Sequence, residues 1–213
     1  MDGIDPRWQA YAEQFSSPES ELLHRIRRET HLQVLKPRML AGHFQGRVLA
    51  MISHMIRPAR VLEIGTYTGY SALCLAEGLQ PEGKLITVDV NPELEARVRA
   101  YFRESPFAHQ LDFRMGDART VVPTLTDMFD LIYLDADKAA YKWYYETVFP
   151  KLRVGGCILV DNVMWSGKVV DQSGDKDTRL MKEFNEHVAA DPRVAQVLLP
   201  IRDGLFLIRK CKA

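Results

Sequence analysis

Cysteine is scarce in this chain, long hydrophobic runs are missing, and neither sign of charge prevails. Three cysteines in 213 residues, far apart at Cys74, Cys157 and Cys211, give neither a disulfide framework nor the spacing of a zinc site. Free thiols in a reducing cytoplasm are expected, with Cys74 and Cys157 buried in apolar runs. No apolar run approaches the ~20 residues of a membrane-spanning helix. The opening MDGIDPRWQAYAEQF also lacks the basic-then-apolar layout of a secretory signal, so no membrane partner is expected. Lys+Arg and Asp+Glu both number 28, which removes any general attraction to nucleic acid or anionic lipid. One local exception is the basic run Arg25, Arg27, Arg28, Lys36, Arg38 and Arg47, read as the solvated face of helices with a functional patch as the alternative. Repeats and low-complexity linkers are absent too.

What remains is ordinary globular composition, with 46% hydrophobic and 26% charged residues, enough for one domain spanning 1–213. Residues 1–57 read as a helical appendage. SPESELLHRIRRE carries a helix start, with Ser17 as cap and Pro18 in the first position, and Leu22, Ile26 and Val34 share its inner face. A further helix near His43–Ile56 is expected to bury Phe44, Val48, Ile52 and Met55. From residue 58 strands and helices alternate: VLEIG, LITVDV, DFRMGD, LIYLDAD and CILVDN are strands separated by helical segments. VAQVLLPIRDGLFLIRK closes the chain as a hairpin turning near Asp203-Gly204. The expected fold is α/β: a doubly wound, mostly parallel seven-stranded sheet, with the hairpin adding an antiparallel strand at its edge. Ligands of such sheets bind beyond the carboxyl ends of the strands.

The first strand ends in EIGTYTGYS. Its glycine loop resembles a dinucleotide turn, but Tyr67 stands where the second glycine would admit a pyrophosphate, and Glu63 is expected to repel one. That argues against a nicotinamide dehydrogenase. Asp89 ends the second strand, where a carboxylate suits ribose hydroxyls; Gly116-Asp117-Ala118 ends the third, with Asp117 able to accept from an adenine amino group. Each alone is ordinary turn chemistry. Together they describe a nucleoside bearing a cation, S-adenosylmethionine.

Strand four ends in Asp135, Asp137 and Lys138, and strand five in Asp161 and Asn162. If the two strands are neighbours, Asp135, Asp161 and Asn162 offer three oxygen ligands to a hard divalent cation such as magnesium. A substrate with two adjacent hydroxyls would find positions left over. Lys138, one turn beyond Asp135, is the candidate general base. Either motif alone reads more readily as a turn or a helix cap.

These segments resemble the cation-dependent small-molecule O-methyltransferases, the group of plant caffeoyl-CoA and animal catechol O-methyltransferases with bacterial relatives. EIGTYTGYS, LITVDVNPE, MGDA, YLDADKAAYKWYYE, KLRVGGCILVDNVMWSGKVV and RDGLFLIRK match in order. The resemblance implies a Rossmann-like class I methyltransferase fold, with Asp135, Asp161 and Asn162 as metal ligands and Lys138 with Asp135 as the catalytic pair. It implies cofactor contacts at Met39, Ala41, Glu63, Gly65, Thr66, Ser71, Asp89, Gly116, Asp117, Ala118, Asp135 and Asp137. Trp165 is expected as a wall of the acceptor pocket, or equally as core. GHFQGR departs from the plant DEGQF-like segment. A homodimer through the N-terminal helices and a catechol-like acceptor follow from the resemblance. Relatives that modify hydroxylated uridine in tRNA, and a non-catalytic S-adenosylmethionine-binding module, are the alternatives.

Overall fold

The computed structural model describes residues 6–171 and 174–212. Three helices come first: α1 (Pro6–Gln14), α2 (Glu21–Gln33) and α3 (Gly42–Ile56). The alternating part follows as β1 (Arg60–Ile64), α4 (Tyr70–Ala76), β2 (Lys84–Asp89), α5 (Glu95–Glu104), β3 (Leu111–Met115), α6 (Ala118–Thr124), β4 (Phe129–Leu134), α7 (Tyr141–Val148) and β5 (Leu152–Asp161). Helix α8 (Lys176–Ala189) and the strands β6 (Val194–Leu199) and β7 (Leu205–Lys210) complete it.

The seven strands form one sheet in the order β3-β2-β1-β4-β5-β7-β6. Strands β1 to β5 run parallel, while β7 is antiparallel to both its neighbours. The antiparallel strand is therefore not at the edge, as expected, but slotted between β5 and β6. Ile158, Val160, Phe206 and Ile208 are all buried, so the pairing of β7 on β5 hides apolar side chains that an edge position would leave half exposed.

Apolar layers cover both faces. One holds α6, α7 and α8 through Val122, Tyr141, Tyr145, Val148, Phe184 and Val188. The other takes α2 to α5 through Leu23, Ile26, Leu49, Leu73, Val98 and Phe102. Two helical expectations shift here. Helix α2 starts at Glu21, capped by Ser20, whose hydroxyl accepts from Leu23 N. Glu19 is turned back to Arg27 and Tyr70 instead, leaving Ser17 and Pro18 ahead of the helix. On α3 the buried face is Gln45, Gly46, Leu49, Ala50 and Ser53. Phe44, Val48 and Ile52 are only half-buried, and Met55 is 78% exposed. The cause is close approach: a Cβ on Gly46 would lie 2.6 Å from Tyr70 Cε1. The small residues of α3, which carry little hydrophobic signal, must therefore face α4.

Candidate active site

The sheet register sets the carboxyl ends at one level. Ile64 pairs with Val88 on one side and Leu134 on the other, and Leu134 pairs with Val160. The next residue of each strand is then Gly65, Asp89, Asp135 and Asp161. Backbone bonds extend the alignment one step beyond the pairing, from Gly65 N to Val88 O and from Asp135 N to Ile64 O, both 2.9 Å. Gly65 has φ +103°, and a Cβ there would stand 2.1 Å from Asp135 O. Only glycine lets the first loop lie this close to the fourth strand.

Above these tips opens a cleft of ≈ 1310 Å³, larger than the roughly 300–1,000 Å³ of one small-molecule site. It has room for two ligands side by side. Of the residues expected from the sequence, Met39, Gly65, Asp89, Gly116, Asp117, Ala118, Asp135, Asp137, Lys138, Asp161, Asn162 and Trp165 line it. Ala41, Glu63, Thr66 and Ser71 lie behind its wall, each nearly or wholly buried. Asp89 is fixed by N–H groups of Tyr67 (2.7 Å) and Asn91 (2.9 Å). Asp117 caps α6 through Arg119 N and pairs with the Arg119 guanidinium, so its carboxylate is already engaged. Asp137 caps the turn that follows it through Ala139 N.

Toward the other end of the cleft lie Asp135, Asp161 and Asn162. Asp161 is 4% exposed. Its Oδ2 accepts from Gln45 Nε2 (2.7 Å) and Tyr133 OH (2.9 Å), and its Oδ1 from Asn162 N (2.8 Å). Burial, reinforced by the Asp135 carboxylate, pushes its pKa up to about 6. Two carboxylates in a partly dry site are thus short of positive charge. Lys138 supplies part of it: Nζ lies 2.7 Å from Asp135 Oδ1 and 2.7 Å from Tyr141 OH. Tyr141 in turn donates to Asp161 O at 3.0 Å. Asn162 has φ +60°, and its side chain carries an amide oxygen that can serve as a neutral ligand. Among the described residues no group of three His, Cys, Asp or Glu side chains could hold a metal. The available set is two carboxylates and an amide oxygen, which fits a hard cation and not a soft one.

Glu63 behaves differently from its sequence reading. It is fully buried, accepts from Ser71 Oγ (2.6 Å) and faces Thr87 Oγ1 at 2.5 Å. Burial pushes its pKa up to about 8. A neutral carboxyl behind the wall cannot repel a pyrophosphate; of the two arguments against one, only Tyr67 stands. The folded protein holds this proton to about pH 8, whereas the unfolded chain releases it near 4.5. Stability from this group therefore falls as pH rises through that window, by at most about 1.4 kcal/mol per unit. Glu63→Gln imitates the protonated form, because Thr87 can turn its hydroxyl to Thr66 Oγ1 at 2.5 Å. Thermal unfolding from about pH 5 to about pH 8 should show a shallower decline in the variant; parallel curves would refute the assignment.

The loop after β5 is tied to the β6–β7 turn by Met164 N to Asp203 O (2.9 Å) and by Ser166 N to the Asp203 carboxylate. Trp165, Ser166 and Gly167 have φ of +49°, +55° and +78°. Trp165 lines the cleft and also packs against the core. Gln45, Tyr133, Tyr141, Arg202 and Asp203 were not singled out from the sequence as site residues. Tyr133 was within reach, since it lies two residues before Asp135 and so on the same face of β4. Half of the N-terminal basic run is paired, Arg25 with Glu104, Arg27 with Glu19 and Arg47 with Glu77, while Lys36 and Arg38 line the cleft.

Residues 13–211 match the family model described as O-methyltransferase. Caffeoyl-CoA O-methyltransferase 5 of Nicotiana tabacum is 34% identical over 179 residues, 78% of this chain and 75% of that protein. The caffeoyl-CoA O-methyltransferase of Mesembryanthemum crystallinum is 35% identical over 78% of this chain and 70% of its own. Among solved structures, SAH-bound methyltransferase PaMTH1 of Podospora anserina superposes with a TM-score of 0.88 at 28% identity, covering 96% of this chain and 94% of that one. Cofactor-bound Rv0187 from MTB gives 0.90 at 26% identity over 99% of both chains. On sequence and fold alike, the chain belongs to the O-methyltransferase family.

Proposed function

We propose that this protein transfers the methyl group of S-adenosylmethionine to one hydroxyl of a catechol-like vicinal diol, in a reaction that depends on a divalent cation, magnesium in the first instance. The observation that carries the proposal is one cleft with two chemically distinct ends. Asp89, after β2, stands at one end and Asp161 with Asn162, after β5, at the other, with the Gly65 loop, Asp135 and Lys138 between them. S-adenosylmethionine supplies an electrophilic methyl; solved relatives from Podospora anserina and Bacillus cereus that hold SAH support its place here. Bound by Asp135, Asp161 and Asn162, the cation would add the missing positive charge and acidify a nearby hydroxyl.

The chain's own side chains do the rest. Asp89, steadied by two backbone N–H groups, keeps lone pairs for the ribose hydroxyls. Lys138 Nζ, anchored between Asp135 and Tyr141, takes the proton of the attacking hydroxyl after giving up one of its own to solvent, a loss that the positive charge of a cation at Asp135 would favour. Trp165 and Tyr144 wall the cleft, which favours a flat aromatic acceptor and limits water near the transferring methyl. Most of the rate gain then comes from holding the hydroxyl in line with the methyl. A formal net charge of zero, with Arg25, Arg27 and Arg47 paired to Glu104, Glu19 and Glu77, favours a small acceptor over RNA.

The test is methyl transfer from labelled S-adenosylmethionine to caffeic acid, with magnesium and with a chelator in its place. Transfer with magnesium and none with the chelator is expected. Equal transfer in both tubes would remove the cation from the reaction.

A further inference from the structure

Asp161 reaches the cleft from a buried position, and a carboxylate there needs something to orient it. Gln45, 1% exposed, comes from the first turn of α3. Its Nε2 donates to Asp161 Oδ2 at 2.7 Å and to Tyr133 OH at 3.1 Å, and Tyr133 OH donates to the same Oδ2 at 2.9 Å. The three groups close a ring in which Gln45 Nε2 and the Tyr133 hydroxyl both donate to Asp161 Oδ2. An amide can flip, and a flipped one would set Oε1 against the carboxylate. Arg202 prevents this, because its NH1 donates to Gln45 Oε1 at 3.1 Å and to the carbonyls of Leu40 and Ala41.

We propose that Gln45 is a positioning residue for the cation: with Tyr133 it saturates Oδ2 of Asp161, so that the carboxylate presents Oδ1 to the cleft, and Arg202 sets the polarity of the amide. This inference rests on the cation reading above. A neutral amide suits the task. It satisfies a buried carboxylate without cancelling the charge that a cation needs, whereas a lysine or arginine in its place would compete with the cation. Side chains behind metal ligands commonly change metal affinity by about 10–100-fold when removed. The arrangement also connects the 40–45 segment to the cation site, since Arg202 grips the backbone just before α3 and the amide of its first full turn.

The test is direct binding of Mn2+, followed by electron paramagnetic resonance, to wild type, Gln45→Leu and Tyr133→Phe. Thermal unfolding and S-adenosylmethionine affinity are measured alongside. Gln45→Leu is expected to weaken Mn2+ at least tenfold while cofactor affinity without cation stays within twofold, and Tyr133→Phe to weaken it less. In turnover, the loss should appear as a raised cation requirement with kcat recovered at high magnesium. Gln45→Leu that folds and binds Mn2+ like wild type overturns the inference while leaving the cation reading intact. Should that variant not fold, unchanged affinity in Tyr133→Phe overturns it equally. Wild type that binds no Mn2+ overturns both.

Discussion

Asp161→Ala is expected to lower methyl transfer by about 10²–10³ and to remove its response to added magnesium. The estimate follows from the several kcal/mol of charge stabilisation that a bound cation contributes, at about 1.4 kcal/mol per factor of ten. Two effects coincide at this residue. It is one of two carboxylates proposed to hold the cation, and its Oδ2 organises Gln45 and Tyr133. Asp161→Asn separates them, since it keeps the shape and loses the charge. Both variants should therefore lose magnesium dependence, with the asparagine protein closer to wild type in thermal stability. The measurement is initial rate against magnesium concentration, beside a melting curve. Substantial turnover in Asp161→Ala would sink the assignment of the strand tip.

Lys138→Ala should reduce kcat by about 10²–10⁴, the usual weight of a general acid or base, with S-adenosylmethionine affinity within about twofold of wild type. Its Nζ contacts only Asp135 Oδ1 and Tyr141 OH among the described hydrogen bonds, and neither group is at the Asp89 end of the cleft. Removing the ammonium also leaves Asp135 without its partner, so Mn2+ should bind no more weakly than before and by electrostatics more tightly. That combination of slow turnover, intact cofactor binding and undiminished cation binding separates a base from a structural lysine. A variant retaining kcat within fivefold of wild type would exclude the role.

Much of this layout could be read from the sequence because strand tips are local. LDADK and VDNVMW each place polar residues directly after an apolar strand, and parallel strands bring such tips to one edge without further information. The order of the closing hairpin was not local. Whether β6 or β7 pairs with β5 depends on which face each strand buries against α8, and alternation along two short strands does not encode that. Gln45 was missed for a related reason. On α3 the inward residues are small or polar, and an apolar-period reading follows Phe44, Val48 and Met55 toward the outside. Glu63 was seen but misjudged, because its charge depends on Ser71 and Thr87 and on depth, none of which a motif reports.

Strand β7 has a consequence for how the protein is made. A ribosome delivers β5, with Asp161 at its tip, some forty residues before β7 (Leu205–Lys210), the strand that pairs with Asp161 through Leu205. Until then one edge of an apolar strand has no partner, and the turn carrying Arg202 and Asp203 is still unmade. The nascent chain can collapse around β1 to β4 early, but the end of the cleft at Asp161 is assembled only later, when β7 folds inward between β5 and β6. Premature termination anywhere in that interval leaves an exposed sheet edge prone to association and no organised Asp161, so incomplete chains would be both sticky and inert.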